Sequence, residues 1–434
     1  MTRNPILGCI ADDLTGATDV ANNLVRAGMQ VVLRVGVPEE EASCDADAVV
    51  VALKSRTIPA QEAIVQSLAA CRWLRRRGVR QIYFKICSTF DSTPIGNIGP
   101  VLKALMREVG TSFSWVVPAF PENGRTVYQG HLFVGEVLLS ESGMRDHPLT
   151  PMRDPNLVRF LQLQMGGGGG LRTGLVDERA VGTSAEAIRA RVEKLRAEGV
   201  SVAIVDTISN ADLGRIATAL SDEPLVTASS GLGSALPASW GFNPDDRSDR
   251  LSTPQGRKAI VSGSCSPAAN AQLADFLERG GPGYLLDVGK LSADGGAGFE
   301  SIWAWAEESW AREPDRAVLV YSTAPAESVK AVHGQYGVER SGEMVEHALA
   351  TVARGLVERG AAQLLVAGGE TSGMCVNALG IKEMRIGPQI DPGVPWCSAS
   401  SPARKGAIHI ALKSGNFGSR NFFSKAFSIL DETE

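Results

Sequence analysis

Residues Leu364–Gly380, LLVAGGETSGMCVNALG, decide how the rest of the chain is read. An apolar run meets a glycine pair and then an amphipathic segment, the order expected of a strand, a tight turn and a helix start. Gly368 and Gly369 let the backbone turn sharply and approach a ligand, while Thr371 and Ser372 are placed to cap the helix and offer hydroxyls to a phosphate. Free N–H groups at such a helix start favour an anion. A glycine-bearing turn of this kind also serves plain packing, so the reading depends on what the flanking chain adds.

On the carboxyl side, Ile408–Leu412 is expected to be a strand running into Lys413-Ser414-Gly415-Asn416-Phe417-Gly418 and a last helix, Asn421–Ile429. On the amino side, the strand Ala259–Val261 runs into Ser262-Gly263-Ser264-Cys265-Ser266-Pro267, with Pro267 suited to the first position of a helix. Three strand-to-helix joints carrying small residues make a phosphate or nucleotide clamp plausible in this half, with Ser264, Gly368, Gly369, Glu370, Thr371 and Gly415 as its candidates. Trp303, Trp305 and Trp310 fall on a helix between strands and are expected to pack rather than to stack on a base.

The amino-terminal half repeats the strand-then-polar pattern with different chemistry. Ile6–Ala11 is an expected buried strand, followed by Asp12-Asp13-Leu14-Thr15-Gly16-Ala17 and a helical segment that closes at Gly28. Carboxylates at the carboxyl end of a first strand sit where open parallel sheets bind ligands. One could face the ligand while the other caps the helix or holds a metal, and spacing alone leaves the assignment open. The strand Val49–Leu53 ends in Lys54-Ser55-Arg56-Thr57, and Ile82–Ile86, which contains Lys85, leads into Cys87-Ser88-Thr89-Phe90-Asp91-Ser92-Thr93. Arg56 offers a bidentate grip and Lys85 a point charge, and with Ser88, Thr89 and Asp91 they could converge on a small carboxylate or polyol. Taken singly, each basic residue suits a solvated rim equally well. Farther on, Asn123-Gly124 favours a hairpin turn before a β-like stretch at Tyr128–Phe133. The Gly166–Gly170 run is expected to be a flexible loop.

At 434 residues, the chain exceeds one core at ~100–200 residues per domain and is expected to form two domains. Polar, helix-breaking sequence marks residues 241–257 as the linker, between an acid-binding domain at 1–240 and a nucleotide-binding domain at 258–434. The expected fold class is α/β, each domain a mostly parallel sheet flanked by helices, with the active site in the cleft between them.

Composition narrows the function. A net charge of −5 argues against a broad nucleic-acid surface. No apolar run reaches the ~18 residues of a membrane span and no signal-peptide pattern precedes the first strand, so a cytoplasmic location is expected. Cys9, Cys44, Cys71, Cys87, Cys265, Cys375 and Cys397 form no C-x-x-C pair, and His131, His147, His333, His347 and His409 show no ligand spacing. No P-loop is present, the nearest candidate being Val288-Gly289-Lys290-Leu291, and no dinucleotide fingerprint, zinc-protease or serine-hydrolase motif appears.

Six segments in order, Ala11–Ala17, Phe84–Ser92, Pro118–Pro121, His147–Met152, Gly368–Gly373 and Lys413–Gly418, resemble the four-carbon acid sugar kinase family over nearly the whole chain. The resemblance implies an amino-terminal sugar-binding domain, a carboxyl-terminal nucleotide-binding domain and ATP-dependent phosphorylation of a tetronate's terminal hydroxyl. Within that family, H-P-L-T-P-M together with L-K-S-G-N-F-G is most similar to kinases of 3-oxo-tetronate, with threonate and erythronate as the alternative substrates. Such chemistry needs a polyphosphate cradle, a magnesium ion held mostly by phosphate and water, and a carboxylate to take the acceptor's proton. Asp12 or Asp13 could supply that carboxylate. The expected partners are an acid sugar and ATP, without nucleic acid or membrane; metal ligands and homo-oligomerisation stay open. A non-catalytic sensor of acid and nucleotide, or an aldolase or dehydratase using Lys85 and Asp12, would fit the same residues.

Overall fold

Strand segments that are apolar throughout must be covered on both faces, and a parallel sheet between helix layers meets that need. Such segments build the first of two compact units, Met1–Ser248, in the computed structural model. The structure describes residues 4–38, 45–147, 149–166, 170–244, 251, 254–287, 297–322 and 338–431. In chain order the unit contains β1 (Leu7–Ala11), α1 (Leu14–Arg26), β2 (Val31–Val35), β3 (Ala48–Ala52), α2 (Ala60–Arg76), β4 (Gln81–Lys85), α3 (Ile98–Val109) and β5 (Ser114–Val117). Then come β6 (Arg125–Tyr128), β7 (His131–Val134), β8 (Val137–Leu138), α4 (Leu157–Met165), β9 (Arg172–Val176), α5 (Glu178–Val181) and α6 (Ala185–Ala197). It closes with β10 (Val200–Val205), α7 (Asn210–Leu220), β11 (Leu225–Ala228) and α8 (Ser230–Ala235).

The strands pair in the order β2-β3-β1-β4-β11-β5-β10-β9, every pair parallel. From β1 the chain passes to the outer strand β2, comes back to β3 beside β1, then crosses to the other side of β1 as β4. That reversal makes a switch point between β1 and β4, where the strands' carboxyl ends leave a crevice. On one face of the sheet, Trp73 and Leu74 of α2, Leu102 and Leu105 of α3, and Phe160 of α4 pack with Phe84 and Phe90 into the main core.

The small sheet β6-β7-β8 is antiparallel, and its hairpin turn is Gln129-Gly130 rather than Asn123-Gly124. Both Gln129 (φ 51°) and Gly130 (φ 71°) have positive φ, as a type I′ turn demands. The buried Asp206 carboxylate accepts from Gln129 N–H at 2.9 Å, Gly130 N–H at 2.8 Å and Glu178 N–H at 3.1 Å. A long-range anchor thus holds a non-glycine residue in the left-handed region. Gly124 instead ends a short 3₁₀ turn, Pro121–Asn123.

The second unit, Asp249–Glu434, contains β12 (Arg257–Ser262), α9 (Pro267–Glu278), β13 (Gly283–Leu285), α10 (Ala297–Arg312), β14 (Val318–Tyr321), α11 (Val338–Glu358) and β15 (Ala361–Ala367). After them come α12 (Gly369–Ala378), β16 (Glu383–Asp391), β17 (Val394–Ser400), β18 (Ala407–Lys413) and α13 (Phe422–Asp431). Its strand order is β13-β14-β12-β15-β18-β17-β16. The first five are parallel; β17 and β16 turn the edge antiparallel. This β16–β17 hairpin departs from the expected run of strand-helix units, because Gly387 and Pro388 interrupt the apolar alternation that would announce it. Trp303 and Trp305 pack as expected: Arg359 lies over Trp303, and Trp305 meets Tyr284. Trp310 N–H donates to Lys258 O at 3.1 Å. The P-loop near-match at 288–291, Cys44, His333, Pro148, the middle of the glycine run and residues 245–250 and 252–253 of the expected linker lie outside the described residues.

Candidate active site

The end of β1 separates two neighbouring aspartates by role. Asp13 is the N-cap of α1, accepting from Gly16 N–H at 3.1 Å and from the Thr15 hydroxyl at 2.7 Å. Asp12 is buried and accepts a bidentate pair from Arg56, Nε at 2.9 Å and Nη2 at 2.8 Å. Arg56 Nη2 also reaches Asp13 at 2.6 Å, and Nη1 lies 3.8 Å from Asp91. One guanidinium from the end of β3 therefore faces carboxylates from β1 and from the loop after β4. Burial pushes the Asp12 carboxyl up, with Arg56 opposing. Burial acts upward on Asp13 too, but Arg56, Lys85, Thr15 and the Gly16 N–H outweigh it and hold Asp13 below its ordinary value.

The Lys85 ammonium is buried at the end of β4, donates to Ile86 O at 3.0 Å, and approaches the first turn of α1 so closely that a Cβ on Gly16 would lie 2.7 Å from it. Beyond it, Thr89 donates to Asp91 at 2.5 Å and lies 3.1 Å from Cys87 Sγ. Ser88 is buried in the same loop. A crevice lined by Asp12, Ser55, Arg56, Asp91, Ser92 and Asn97 opens here. The Asn97 amide fixes its wall by donating to the carbonyls of Ser55, Arg56 and Ile58. Asp19, one turn beyond Gly16 on α1, is a buried carboxylate that the sequence reading passed over. Burial raises it to about 7, opposed chiefly by Lys85. Its only sequence signal is the i, i+3 spacing from Gly16.

In the second unit, three joints meet at the carboxyl ends of the adjacent parallel strands β12, β15 and β18. Gly368 is the N-cap of α12 with φ 124°, a backbone only glycine adopts readily, and no side chain caps that helix. Thr371 and Ser372 thus lie inside the first turn and do not cap it. Ser372 donates back to Gly368 O at 2.6 Å, and Thr371 Oγ1 would lie 2.3 Å from a Cβ at Gly263. Gly369 is exposed and Glu370 half-buried, and a Cβ on Gly369 would meet nothing within 4 Å. Ser266 caps α9, with Pro267 at its start, and donates to Gly415 O at 2.6 Å. Gly415 sits so close to Ser264 that a Cβ there would be 2.6 Å from its hydroxyl. Ser264, Gly368, Thr371 and Gly415 are brought together.

The chain's two halves match two family models in sequence. Residues 7–236 match the sugar-binding N-terminal domain, and residues 259–423 the nucleotide-binding C-terminal domain. The chain belongs to the four-carbon acid sugar kinase family. Full-length relatives named 3-oxo-tetronate kinase include those of Pseudomonas savastanoi pv. phaseolicola (48% identity, 98% of this chain and 97% of that one) and Pseudomonas fluorescens (50%, 98% and 97%). Among solved structures, a Salmonella typhimurium LT2 protein described provisionally as a tRNA synthase shares 42% identity with TM-score 0.83, covering 97% of this chain and 98% of that one. A Haemophilus influenzae protein shares 41% with TM-score 0.75, covering 98% and 100%. Within this family the β1–β4 cluster lies in the sugar-binding half and the three glycine joints in the nucleotide-binding half. No helix among the described residues is long and apolar enough to cross a membrane.

Proposed function

We propose that this chain is a 3-oxo-tetronate kinase, moving the terminal phosphoryl group of ATP to the C4 hydroxyl of the acid sugar. The observation that carries the reading is the end-to-end match, at 42–50% identity, to relatives bearing that name. In the step, a P–O bond to the β-phosphate oxygen breaks, a P–O bond to the C4 oxygen forms, ADP leaves, and the hydroxyl proton passes to a carboxylate.

Asp12 is the better candidate for that carboxylate. Asp13 is committed to capping α1 and is held ionised, whereas burial raises the proton affinity of Asp12. Arg56 faces Asp12, Asp13 and Asp91, so its charge is largely compensated and its part is to orient Asp12. That leaves Lys85, with Ser88 and Thr89, to recognise the acid. Ser264, Gly415 and the turn Gly368–Thr371 cradle the polyphosphate through N–H and hydroxyl donors, with Gly368 supplying the bend and not a donor, since its N–H is held by Lys413 O. A magnesium ion would neutralise the polyphosphate. Phosphate oxygens and water would carry most of that ion's coordination, in line with magnesium's preference. Transfer requires the acid-sugar cluster and the cradle to come together with water excluded.

The test is ADP release with 3-oxo-tetronate, D-threonate and D-erythronate. Preferential turnover of 3-oxo-tetronate is expected. Equal kcat/KM for threonate moves the substrate assignment alone, and no turnover of any tetronate defeats the kinase reading in favour of a sensor. ATP-independent consumption of substrate would indicate the aldolase or dehydratase.

A further inference from the structure

The turn after β18 is built around a buried cation. Lys413 is fully buried, and its Nζ donates to the carbonyls of Ser414 at 3.0 Å, Gly415 at 3.0 Å and Phe417 at 3.1 Å. An ammonium has three N–H donors, so these contacts saturate it. No carboxylate pairs with it among the described residues. Gln272 of α9, also buried, continues the pattern: its amide nitrogen reaches the carbonyls of Phe417, Gly418 and Ser419 at 3.0–3.1 Å. Successive carbonyls of this turn thus point inward.

A trans peptide places the N–H of one residue opposite the C=O of the residue before it. With the carbonyls of Ser414, Gly415 and Phe417 drawn to Lys413, the N–H groups of Gly415, Asn416 and Gly418 must point away from it. Those three N–H groups have no acceptor among the described residues. The next peptide supports the geometry: Gly418 O turns to Gln272, and the opposed Ser419 N–H donates outward to Asp391 at 2.8 Å. Phe417 N–H, between those of Asn416 and Gly418, donates back to Ser414 O at 3.2 Å, and the outward N–H groups on either side of it form an anion-binding concavity.

Lys413 also joins the other two joints. Its own carbonyl accepts from Gly368 N–H at 2.8 Å, and Gly415 O, which it holds, accepts from the Ser266 hydroxyl. We infer that Lys413, with Gln272, is a positioning residue for polyphosphate: the pair turns the carbonyls of Ser414, Gly415, Phe417, Gly418 and Ser419 inward so that the N–H groups of Gly415, Asn416 and Gly418 bind the nucleotide's phosphates. This rests on the nucleotide-binding reading of the second unit and adds the means by which one turn is shaped. When protonated, the Lys413 ammonium beneath the concavity, with no carboxylate partner among the described residues, adds to its attraction for an anion.

The experiment is calorimetric titration of ATP, with separate titration of 3-oxo-tetronate, into the full chain and variants shown to melt cooperatively. Asn416→Ala sets the reference for loss of the side chain alone, because it keeps the peptide N–H. Asn416→Pro removes it and should weaken ATP binding about 10- to 100-fold, the size of one hydrogen bond to a charged group. Lys413→Met and Gln272→Leu should weaken ATP while leaving acid-sugar affinity unchanged. Should Lys413→Met fail to fold, the Asn416 pair still decides. Unchanged ATP affinity in folded Asn416→Pro overturns the inference while leaving the nucleotide-binding reading intact. A wild-type chain that binds no ATP overturns both.

Discussion

Asp12 and Asp13 are one residue apart, yet their neighbours give them different proton affinities, and substitution should separate them. Asp12→Asn keeps shape and leaves Arg56 paired to Asp13, so the fold should persist while kcat falls about 10²–10⁴-fold with ATP affinity unchanged. Steady-state kinetics beside ATP titration checks this; near-normal kcat would remove the base role from Asp12. Arg56→Gln should instead act on stability. It strands carboxylates in a buried site, at a cost of about 3–5 kcal/mol, visible as a lower melting temperature. Lys85→Met should raise the KM for the acid sugar and leave that for ATP alone; equal effects on both would place Lys85 on the phosphates. Lys413 carries a pH signature. Burial alone lowers its ammonium to about 7 in the free protein, and a bound polyphosphate would raise it again. The complex then holds more protons than the free protein, so ATP affinity should fall as pH rises above about 7, by at most tenfold per unit. A flat profile, once titration of ATP itself is subtracted, would show that the anion does not sense Lys413.

At the scale of elements, the β6–β7 hairpin shows how a local turn is set from a distance. Asp206 follows β10 and holds three N–H groups, two in the hairpin turn and one at the start of α5. Asp206→Ala should leave those donors buried without an acceptor and lower stability by about 3 kcal/mol or more. Gln129→Gly, which suits the positive φ already present, should shift stability by less than about 1 kcal/mol. Thermal or denaturant melts of the two variants test the pair; similar losses would mean that the Gln129 side chain, and not the carboxylate, anchors the turn.

Across the whole molecule, the sugar and nucleotide roles should be separable by a substitution that spares the fold. Gly369 has an ordinary φ and open space where a Cβ would go, so Gly369→Val puts methyl groups into the cradle without a clash inside the protein. ATP binding should be lost while 3-oxo-tetronate binding stays measurable. Retained ATP affinity in the folded variant would take the phosphate role from the Gly368–Thr371 turn. Gly368→Ala is the contrasting case, since φ 124° strains any side chain whether or not a ligand binds.

The sequence by itself determined the α/β class, the apolar strands, the strand-end placement of Asp12, Lys85, Ser264 and Gly368, and the acid sugar kinase resemblance. These follow from local periodicity and from motifs contiguous in the chain. It could not decide that Asp13 caps α1 while Asp12 meets Arg56, because adjacent side chains at a strand end diverge according to neighbours 44 residues away. Nor could it reveal the commitment of Arg56 to carboxylates, the Gln129-Gly130 turn set by Asp206, or the inward carbonyls around Lys413. Each depends on a charged or polar group brought into contact by sheet register and burial, where an unpaired group is costly and its partner therefore fixes the conformation.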